Sequence, residues 1–435
     1  MEFLETIFYF ILVLGVLVFV HEFGHFIVAK RSGIRVEQFS LGFPPKAFGI
    51  TVGETEYCIS WLPIGGYVKV AGMSDFGSAD VKREPWEFQS KSRGIQMAVM
   101  VAGPVMNFLL GFMLILGLRL TLGDYVLQTT RVGRIEAASP FYAAGLRTDD
   151  RILAINGTPV DDWGSLVEAY GAGDDGDIAL EVARGEEVVF LVATPDPGPE
   201  LGFDPFLPST AGSVMPGYPA ARGGMEPGDR VLSIAGESVS GWNEMREKIS
   251  ARPGLETEIR WLRGKEEMVA IIVPQPQQGG GRIIGVIGIG PSYEPSARVP
   301  VTIATAIERS GRDLVGYTTL IFTLIKRLVM GEVSGRMIAG PVGIAQMAGS
   351  KAREGLEALL DFMAMLSINL AVLNLLPIPA LDGGHLTILS VEAISRRSLS
   401  ARQKERIQQV GFIFLLGLMV YVTFGDIGRI WGLFY

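Results

Sequence analysis

Four long and nearly charge-free stretches constrain this chain more than any other feature. They cover residues 3–28, 95–118, 362–381 and 410–427. Because about 17–25 apolar residues are needed to cross a bilayer, each stretch is long enough to span one. A purely soluble protein and an intrinsically disordered one are therefore excluded. The pattern predicts a polytopic α-helical membrane protein with four transmembrane helices.

The middle of the chain is acidic and separates two hydrophobic halves. Residues 121–290 carry 25 acidic and 14 basic side chains. Basic residues cluster instead after the first stretch, before the second, and between the third and fourth. Because positive charge favours the cytoplasmic side of a membrane, we expect both termini and the acidic middle on the far side. The sequence has no basic tract of the kind that predicts nucleic-acid binding.

One further apolar segment has two interpretations. Residues 314–330 are interrupted by Lys326 and Arg327, and the clean apolar part is too short to span a bilayer. We expect either an interfacial amphipathic helix or a helix packed on the soluble domain. The chain has a single cysteine, Cys58, which excludes an intrachain disulfide and is interpreted as a small buried hydrophobe.

A repeat occupies the acidic middle. Nine of the 24 positions from Pro140 to Trp163 recur at an offset of 79 residues, ending at Trp242. Each copy predicts a short helix, a turn and a strand, followed by two strands with alternating apolar residues. Two small α+β modules in tandem are the simplest explanation.

Each copy resembles a bacterial PDZ domain, whose A-x-x-A-G-L-x-x-G-D-x-I-x-x-I-[ND]-G run it follows. Asp149 occupies the usual Gly position in the first copy, and the second has Gly224 and Met225 where Gly-Leu is usual. The resemblance implies peptide binding by strand addition near residues 133–135 and 212–214. The alternative is a pair of folded spacers that bind no peptide.

The candidate chemistry lies in the hydrophobic halves. Residues 21–25 read His-Glu-Phe-Gly-His near the inner end of the first span. Residues four apart share one face of a helix, so His21 and His25 can bind one Zn²⁺ with Glu22 alongside as general base. Ionisable groups at the membrane end of an apolar helix are costly, which favours this function over a merely polar helix end.

A second motif offers a further ligand, since a catalytic zinc usually has three from the protein. Residues 374–385 read N-L-L-P-I-P-A-L-D-G-G-H and place Asp382 in an otherwise apolar span. Counted from the starts of their spans, His21 and Asp382 lie roughly 27 and 32 Å deep at 1.5 Å per residue. The similar depths support pairing the two motifs, although Pro377 and Pro379 interrupt the helical rise.

With these two motifs the chain resembles the site-2 proteases, which are intramembrane zinc metalloproteases. The repeat makes it similar to the bacterial members of this family that carry tandem PDZ domains and act in envelope stress. Three other runs also fit this family, at residues 63–69, 102–108 and 340–345. The resemblance implies that Asp382 is the third zinc ligand and that Asn374 holds the substrate or the developing oxyanion. It also implies that His385 is not a ligand.

Residues 34–71 are less apolar and rich in strand formers. They predict four strands, at residues 37–41, 47–52, 55–61 and 67–70. The resemblance makes this region a re-entrant β-loop whose edge binds unwound substrate by strand addition. The substrate-binding residues would then be Gly65, Gly66, Tyr67 and Val68. The alternative is a cytoplasmic hairpin without a substrate role.

The expected organisation follows the chain from end to end. It comprises transmembrane helix 1 with H-E-x-x-H (1–30), the re-entrant β-loop region (31–92), transmembrane helix 2 (93–120), two PDZ domains (121–199 and 200–292), an amphipathic helical linker (293–355), transmembrane helix 3 with the L-D-G motif (356–385), a basic cytoplasmic loop (386–406) and transmembrane helix 4 (407–435).

The resemblance implies a zinc-dependent endopeptidase of the bacterial inner membrane, with its active site towards the cytoplasm. Its substrate would be a single-span membrane protein already trimmed by another protease, such as an anti-sigma factor, and signal-peptide remnants are a second expected class. Peptide ligands of the PDZ domains and the lipid bilayer are the other expected partners.

Two other classes compete with a protease. A non-catalytic PDZ scaffold does not explain why Glu22 occurs together with both histidines and Asp382. A metal transporter would usually need polar residues along several spans, whereas spans two and four have few beyond Asn107 and Asp426.

Overall fold

The computed structural model describes residues 2–73, 84–172, 176–194, 201–215, 217–279, 282–331, 339–397 and 399–430. The chain forms two compact units. The first combines Met1–Leu122 with Val301–Tyr435, and the second is Gly123–Pro300. The acidic middle of the sequence is therefore a folded unit of its own.

Long helices dominate the first unit, and short strands dominate the second. The helices are, in chain order, α1 (Glu2–Arg31), α2 (Arg93–Leu122), α3 (Pro140–Ala143), α4 (Trp163–Gly171), α5 (Pro219–Arg222), α6 (Trp242–Ser250), α7 (Ile303–Val329), α8 (Pro341–Glu354), α9 (Leu356–Leu375), α10 (Asp382–Ser395) and α11 (Ala401–Ile430), with a 3₁₀ turn at Phe88–Ser90.

The strands are β1 (Val36–Val52), β2 (Thr55–Val70), β3 (Asp124–Leu127), β4 (Val132–Ile135), β5 (Arg151–Ile155), β6 (Thr158–Pro159), β7 (Ile178–Arg184), β8 (Glu187–Ala193), β9 (Phe203–Pro205), β10 (Ala211–Val214), β11 (Arg230–Ile234), β12 (Glu237–Ser238), β13 (Thr257–Arg263), β14 (Glu266–Ile272), β15 (Gln275–Gly279), β16 (Arg282–Val286), β17 (Ile289–Pro291) and β18 (Ser296–Val299).

Four helices in the described part of the chain are long and apolar enough to cross a membrane, namely α1, α2, α9 and α11. Large apolar side chains such as Phe8 and Phe414 are exposed on these helices. Such surfaces are costly in water and suit a lipid environment. The four helices coincide with the four hydrophobic stretches of the sequence, which supports a polytopic membrane protein.

The third hydrophobic stretch is not one continuous helix, which corrects the expected single span over residues 356–385. Helix α9 ends at Leu375, and Asp382 begins the separate helix α10. Pro377 and Pro379 lie in the break. Because proline lacks an N–H and clashes with the preceding helical turn, it ends a helix here. The L-D-G motif therefore lies at the start of a new helix.

The linker before the third span contains helices α7 and α8. Leu314, Tyr317 and Ile321 of α7 pack on a buried cluster of α2 and α9 that includes Ile115 and Ile368. Arg119 of α2 also pairs with Asp313 of α7 at 2.9 Å. Helix α7 is thus packed along membrane-spanning helices, a partner that neither interpretation of residues 314–330 included.

Strands β1 and β2 form the sheet predicted between the first two spans. The register pairs Leu41 with both Ile59 and Gly66, so the segment 36–41 lies between 55–62 and 66–70. The segment 46–52 pairs with 55–60 on the outer side. All four predicted strand segments are present. One face is strongly apolar and exposed: Phe48 is 62% exposed and Trp61 is 71% exposed.

The second unit contains two modules with the same element order, as the repeat predicted. One four-stranded sheet has the order β6-β5-β7-β8, and the other has the order β12-β11-β13-β14. Each has its own buried apolar core. Strands β3 and β18, from the two ends of the unit, pair with each other through Val126 and Ala297.

The repeated aspartate is explained by an ion pair found in both modules. Asp150 binds Arg184, and Asp229 binds Arg263, each at 2.7 Å. Burial opposes ionisation of Asp229, yet hydrogen bonds from Arg263 and from the Glu226 N–H hold the pKa of its carboxyl below its usual range. In each module the ion pair joins two residues 34 positions apart. The aspartate lies in the turn before one strand of the sheet, and the arginine lies at the end of the neighbouring strand.

Asp149 keeps the turn that glycine forms in the second module. Its φ is +73°, close to the +95° of Gly228. Aspartate tolerates this left-handed conformation better than most side chains. The departure from the usual PDZ run therefore keeps this position in the same left-handed region.

Candidate metal centre

Helices α1 and α2 approach closely where both carry glycine. A Cβ atom placed on Gly24 would overlap the backbone oxygen of Ala102 and would lie 2.8 Å from the Met106 side chain. A Cβ on Gly103 would overlap the His25 ring and would lie 2.7 Å from His21 Nε2. The backbone of α2 thus lies directly against both imidazoles, and glycine is what permits this.

Asp382 is brought to the same place by a tight turn. It occupies the first position of α10, after Leu381 as N-cap. A Cβ atom on Gly383 would overlap the Leu376 oxygen, and one on Gly384 would lie 2.7 Å from Pro379 Cα. The two glycines of the D-G-G run therefore allow the proline-containing loop to fold closely over the start of α10.

Three ligand atoms converge between α1 and α10. His21 Nε2 lies 3.0 Å from Asp382 Oδ2, and His25 Nε2 lies 3.4 Å from the same oxygen. The two Nε2 atoms are 3.2 Å apart. His21 is 6% exposed and His25 is 8% exposed. Among the described residues, these three form the group of side chains that could hold a metal ion.

The surroundings of His25 and Asp382 fit a bound cation. His25 Nδ1 lies 2.7 Å from the Val99 carbonyl, which only accepts, so Nδ1 carries a proton and Nε2 of the neutral ring presents a lone pair. Asp382 Oδ2 is buried and faces both Nε2 atoms. Zinc bonds of 2.0–2.1 Å in a tetrahedral site place ligand atoms about 3.3 Å apart, which is close to the spacing observed here.

Glu22 follows His21 on α1 and lies beside the β-sheet. A Cβ atom placed on Gly66 would be 3.7 Å from Glu22 Cγ. Glu22 is half-buried. The H-E-x-x-H helix thus presents its two histidines to Asp382 and its glutamate to strand β2.

The four β-loop residues predicted to bind substrate all lie in β2. Gly66, Tyr67 and Val68 pair with 41, 40 and 39 of β1 respectively. Tyr67 donates a hydrogen bond to Gln38 Oε1 at 2.8 Å. Gly65 has a φ of +110°, a conformation that favours glycine. Gly66 of this set lies beside Glu22.

Asn374 and His385, the other two positions discussed from the sequence, lie on either side of the loop that joins α9 to α10. Asn374 is in the last turn of α9, half-buried, immediately before the loop that leads to Asp382. His385 lies in α10 outside the three-residue group, with Nε2 3.1 Å from Gln408 Nε2 of α11. The resemblance implied that His385 is not a ligand, and this stays a prediction.

Asn107 of α2 contacts the site, although neither zinc motif of the sequence includes it. Its Nδ2 lies 3.2 Å from His21 Nδ1. A polar residue in an otherwise apolar span was the available signal, but the sequence alone does not say which helix such a residue faces.

Comparisons with known proteins cover nearly the whole chain. The family model described as peptidase family M50 matches residues 9–418. A putative zinc metalloprotease of Neisseria meningitidis is 33% identical over 460 residues, which cover 99% of this chain and 100% of that protein. The regulator of sigma-E protease RseP of Escherichia coli is 30% identical over 463 residues, with 99% and 100% coverage. The zinc metalloprotease RasP of Geobacillus kaustophilus is 30% identical over 447 residues, with 98% and 99% coverage.

A zinc-dependent protease built into membrane-spanning helices is the class that these findings define. The chain belongs to peptidase family M50, the site-2 protease family. It is a zinc metalloprotease, and Zn²⁺ is its cofactor. The predicted enzyme class and cofactor are confirmed, and the apolar helices and relatives fit a bacterial inner-membrane protein.

Proposed function

We propose that this protein hydrolyses a peptide bond within the transmembrane segment of a single-span membrane protein, using zinc held by His21, His25 and Asp382. The observation that carries the proposal is the convergence of their Nε2 and Oδ2 atoms at 3.0–3.4 Å between two helices. The closest fit for such a set of two imidazoles and a carboxylate is a catalytic zinc site with a position left for water.

The residues around this group divide the chemistry among them. Zinc, when bound, supplies Lewis-acid activation of water and of the scissile carbonyl. Glu22 accepts the proton of the attacking water and passes it to the leaving amine. Asn374 donates a hydrogen bond to the substrate carbonyl as negative charge develops there. A site at this depth needs water from the cytoplasmic side.

Strand β2 is proposed to hold the substrate in an extended conformation. A helical peptide bond is poorly exposed to attack, so a transmembrane substrate must unwind before cleavage. Segment 66–70 pairs with 36–41 on one side in the β1–β2 register. Its other side offers backbone groups for strand addition, and Gly66 brings that strand beside Glu22. We propose that this sheet is a re-entrant β-loop, with its exposed apolar face in the bilayer.

The proposed location is the bacterial inner membrane, with the termini and the second unit in the periplasm and the active site towards the cytoplasm. The support is the clustering of basic residues in three connections, including the segment after α10. His21 lies in the later part of α1, which leads to one basic segment, and Asp382 begins α10, which leads to another.

Cysteine labelling tests this topology in a Cys58→Ser background. Glu186 lies in an exposed turn of the first module, and Ser395 is exposed at the end of α10. With an impermeant maleimide, we expect Glu186→Cys to be labelled in intact cells and Ser395→Cys only after permeabilisation. The reverse pattern would place the catalytic group at the opposite face and contradict the proposal.

The proposed substrates are single-span proteins that another protease has already trimmed, with anti-sigma factors as the first class and signal-peptide remnants as the second. One support is the similarity to a protein named as a regulator of sigma-E. The other is the pair of modules inserted between α2 and α7. We propose that these modules are PDZ domains that select substrates by the size of their outer domain.

Removing the modules tests the size selection. A variant in which a short flexible linker replaces residues 128–295 keeps β3 and β18 as a paired base. We expect it to bind zinc, to cleave a single-span reporter whose outer domain has been trimmed, and to begin cleaving the untrimmed reporter. The full chain should cleave only the trimmed form.

A deletion variant that binds zinc and cleaves the trimmed reporter, yet still rejects the untrimmed one completely, would contradict size selection. The modules would then bind peptides or act as spacers.

A further inference from the structure

Asn107 is a fully buried polar residue at the centre of the membrane-spanning helices. It is 0% exposed. Its backbone oxygen accepts a hydrogen bond from Ser367 Oγ of α9 at 2.7 Å, and its side-chain Nδ2 lies 3.2 Å from His21 Nδ1 of α1. The residue therefore joins α2 to both helices, and its amide is directed at one of the proposed zinc ligands.

Half of this amide is not used in hydrogen bonding. Asn107 Oδ1 is buried and has no hydrogen-bond partner among the described residues. A leucine of nearly the same shape would fill the space without burying an unsatisfied polar group. A buried amide with one unpaired end calls for an explanation, and its side chain contacts His21.

The two orientations of the amide have opposite consequences for His21. If the nitrogen faces the ring, Nδ1 accepts the hydrogen bond and the ring proton of the neutral imidazole lies on Nε2. If the oxygen faces the ring, Nδ1–H donates and Nε2 keeps its lone pair. Only the second arrangement allows Nε2 to bind a metal ion.

The second histidine already has the metal-competent arrangement. His25 Nδ1 donates to the Val99 carbonyl of α2 at 2.7 Å, so the neutral ring presents its Nε2 lone pair to the candidate site. Between Val99 and Asn107, Gly103 brings the α2 backbone against both rings. Helix α2 thus offers one backbone partner to His25 and one side-chain partner to His21.

We propose that Asn107 is a positioning residue of the zinc site, whose amide oxygen accepts a hydrogen bond from His21 Nδ1–H when zinc is bound. This inference rests on the proposed zinc site. The bond fixes the ring orientation of His21, keeps Nε2 unprotonated and raises its basicity towards the metal. Asn107 touches neither the substrate nor the reacting atoms in this role.

The test measures zinc affinity by chelator competition on the purified full chain. Asn107→Leu and Asn107→Ala both remove the acceptor, the first at similar volume and the second without overpacking. We expect each to weaken zinc binding by about 10–100-fold. Asn107→Asp keeps an acceptor oxygen and should restore most of the affinity.

Gln96→Leu is the matched control, because it removes another buried amide from α2. Gln96 donates to the Phe88 and Lys91 carbonyls and not to a histidine. We expect its zinc affinity to stay at the wild-type value. Size-exclusion elution and the unfolding midpoint of the zinc-free forms show whether each variant is folded.

A His21→Ala arm separates failure of this inference from failure of the proposed site. Zinc loss in His21→Ala with wild-type affinity in Asn107→Leu and Asn107→Ala would overturn the role of Asn107 alone. Equal loss in Asn107→Asp and Asn107→Ala would overturn the acceptor role. Wild-type zinc affinity in His21→Ala would overturn the zinc site, and this inference with it.

Discussion

Replacing Glu22 by Gln is expected to leave one zinc ion per chain and to lower the cleavage rate by about 10²–10⁴-fold. Glutamine has nearly the same shape but cannot accept the proton of the attacking water. Glu22 is not among the three residues whose ligand atoms converge, so zinc binding should not depend on it. Zinc content by mass spectrometry and cleavage of a single-span reporter, measured on one preparation, give both values.

Glu5→Gln is the matched control, since it makes the same substitution on an exposed position of α1. Its zinc content and cleavage rate should equal those of the wild type. A Glu22→Gln variant that cleaves at the wild-type rate would refute the role of Glu22 as general base.

Replacing Asp382 by Ala should strongly weaken zinc binding. Two imidazoles would remain where a catalytic zinc usually has three protein ligands. The affinity should fall by more than the roughly 10–100-fold that typically follows loss of a hydrogen-bond partner behind a ligand. Chelator competition at limiting metal measures the change, and cleavage should be lost with the zinc.

His385→Ala is the control, because His385 lies in the same first turn of α10 but bonds to Gln408 instead of joining the group. It should keep wild-type zinc affinity. Full zinc occupancy in Asp382→Ala at limiting metal would show that Asp382 is not a zinc ligand. The proposal that the two sequence motifs form one zinc site would then be wrong.

The features that depend on local periodicity could be predicted from the sequence. Apolar length alone located the four spanning helices, and the four-residue spacing of His21 and His25 placed both on one face of α1. The repeat at an offset of 79 residues predicted two modules with one element order. Alternation and turn residues predicted the strand segments of β1 and β2.

The features that depend on which helices meet could not be predicted in this way. Amphipathic character in α7 indicated an apolar face, but not that this face packs on α2 and α9. Asp426 was visible as a rare polar residue in the fourth span. Only the fold brings its carboxylate to the start of α8, where it accepts from the Gly340 and Gly343 N–H groups at 3.0 and 2.8 Å.

The helix contacts around the candidate site could not be predicted from the sequence either. The sequence contained both zinc motifs, and their similar depths supported pairing them. It did not show that α2 lies behind the histidines, with Val99, Gly103 and Asn107 on the contacting face. The prolines signalled a break near residue 377, yet the start of α10 at Asp382 depends on how the D-G-G turn packs.

Anomalous diffraction at the zinc edge, from crystals of the full chain loaded with one equivalent of Zn²⁺, tests the central claim most directly. The account predicts one strong peak, bonded at about 2.0–2.1 Å to nitrogen atoms of His21 and His25 and to an oxygen of Asp382. A peak at other residues, with these three side chains not bound to metal, would contradict it.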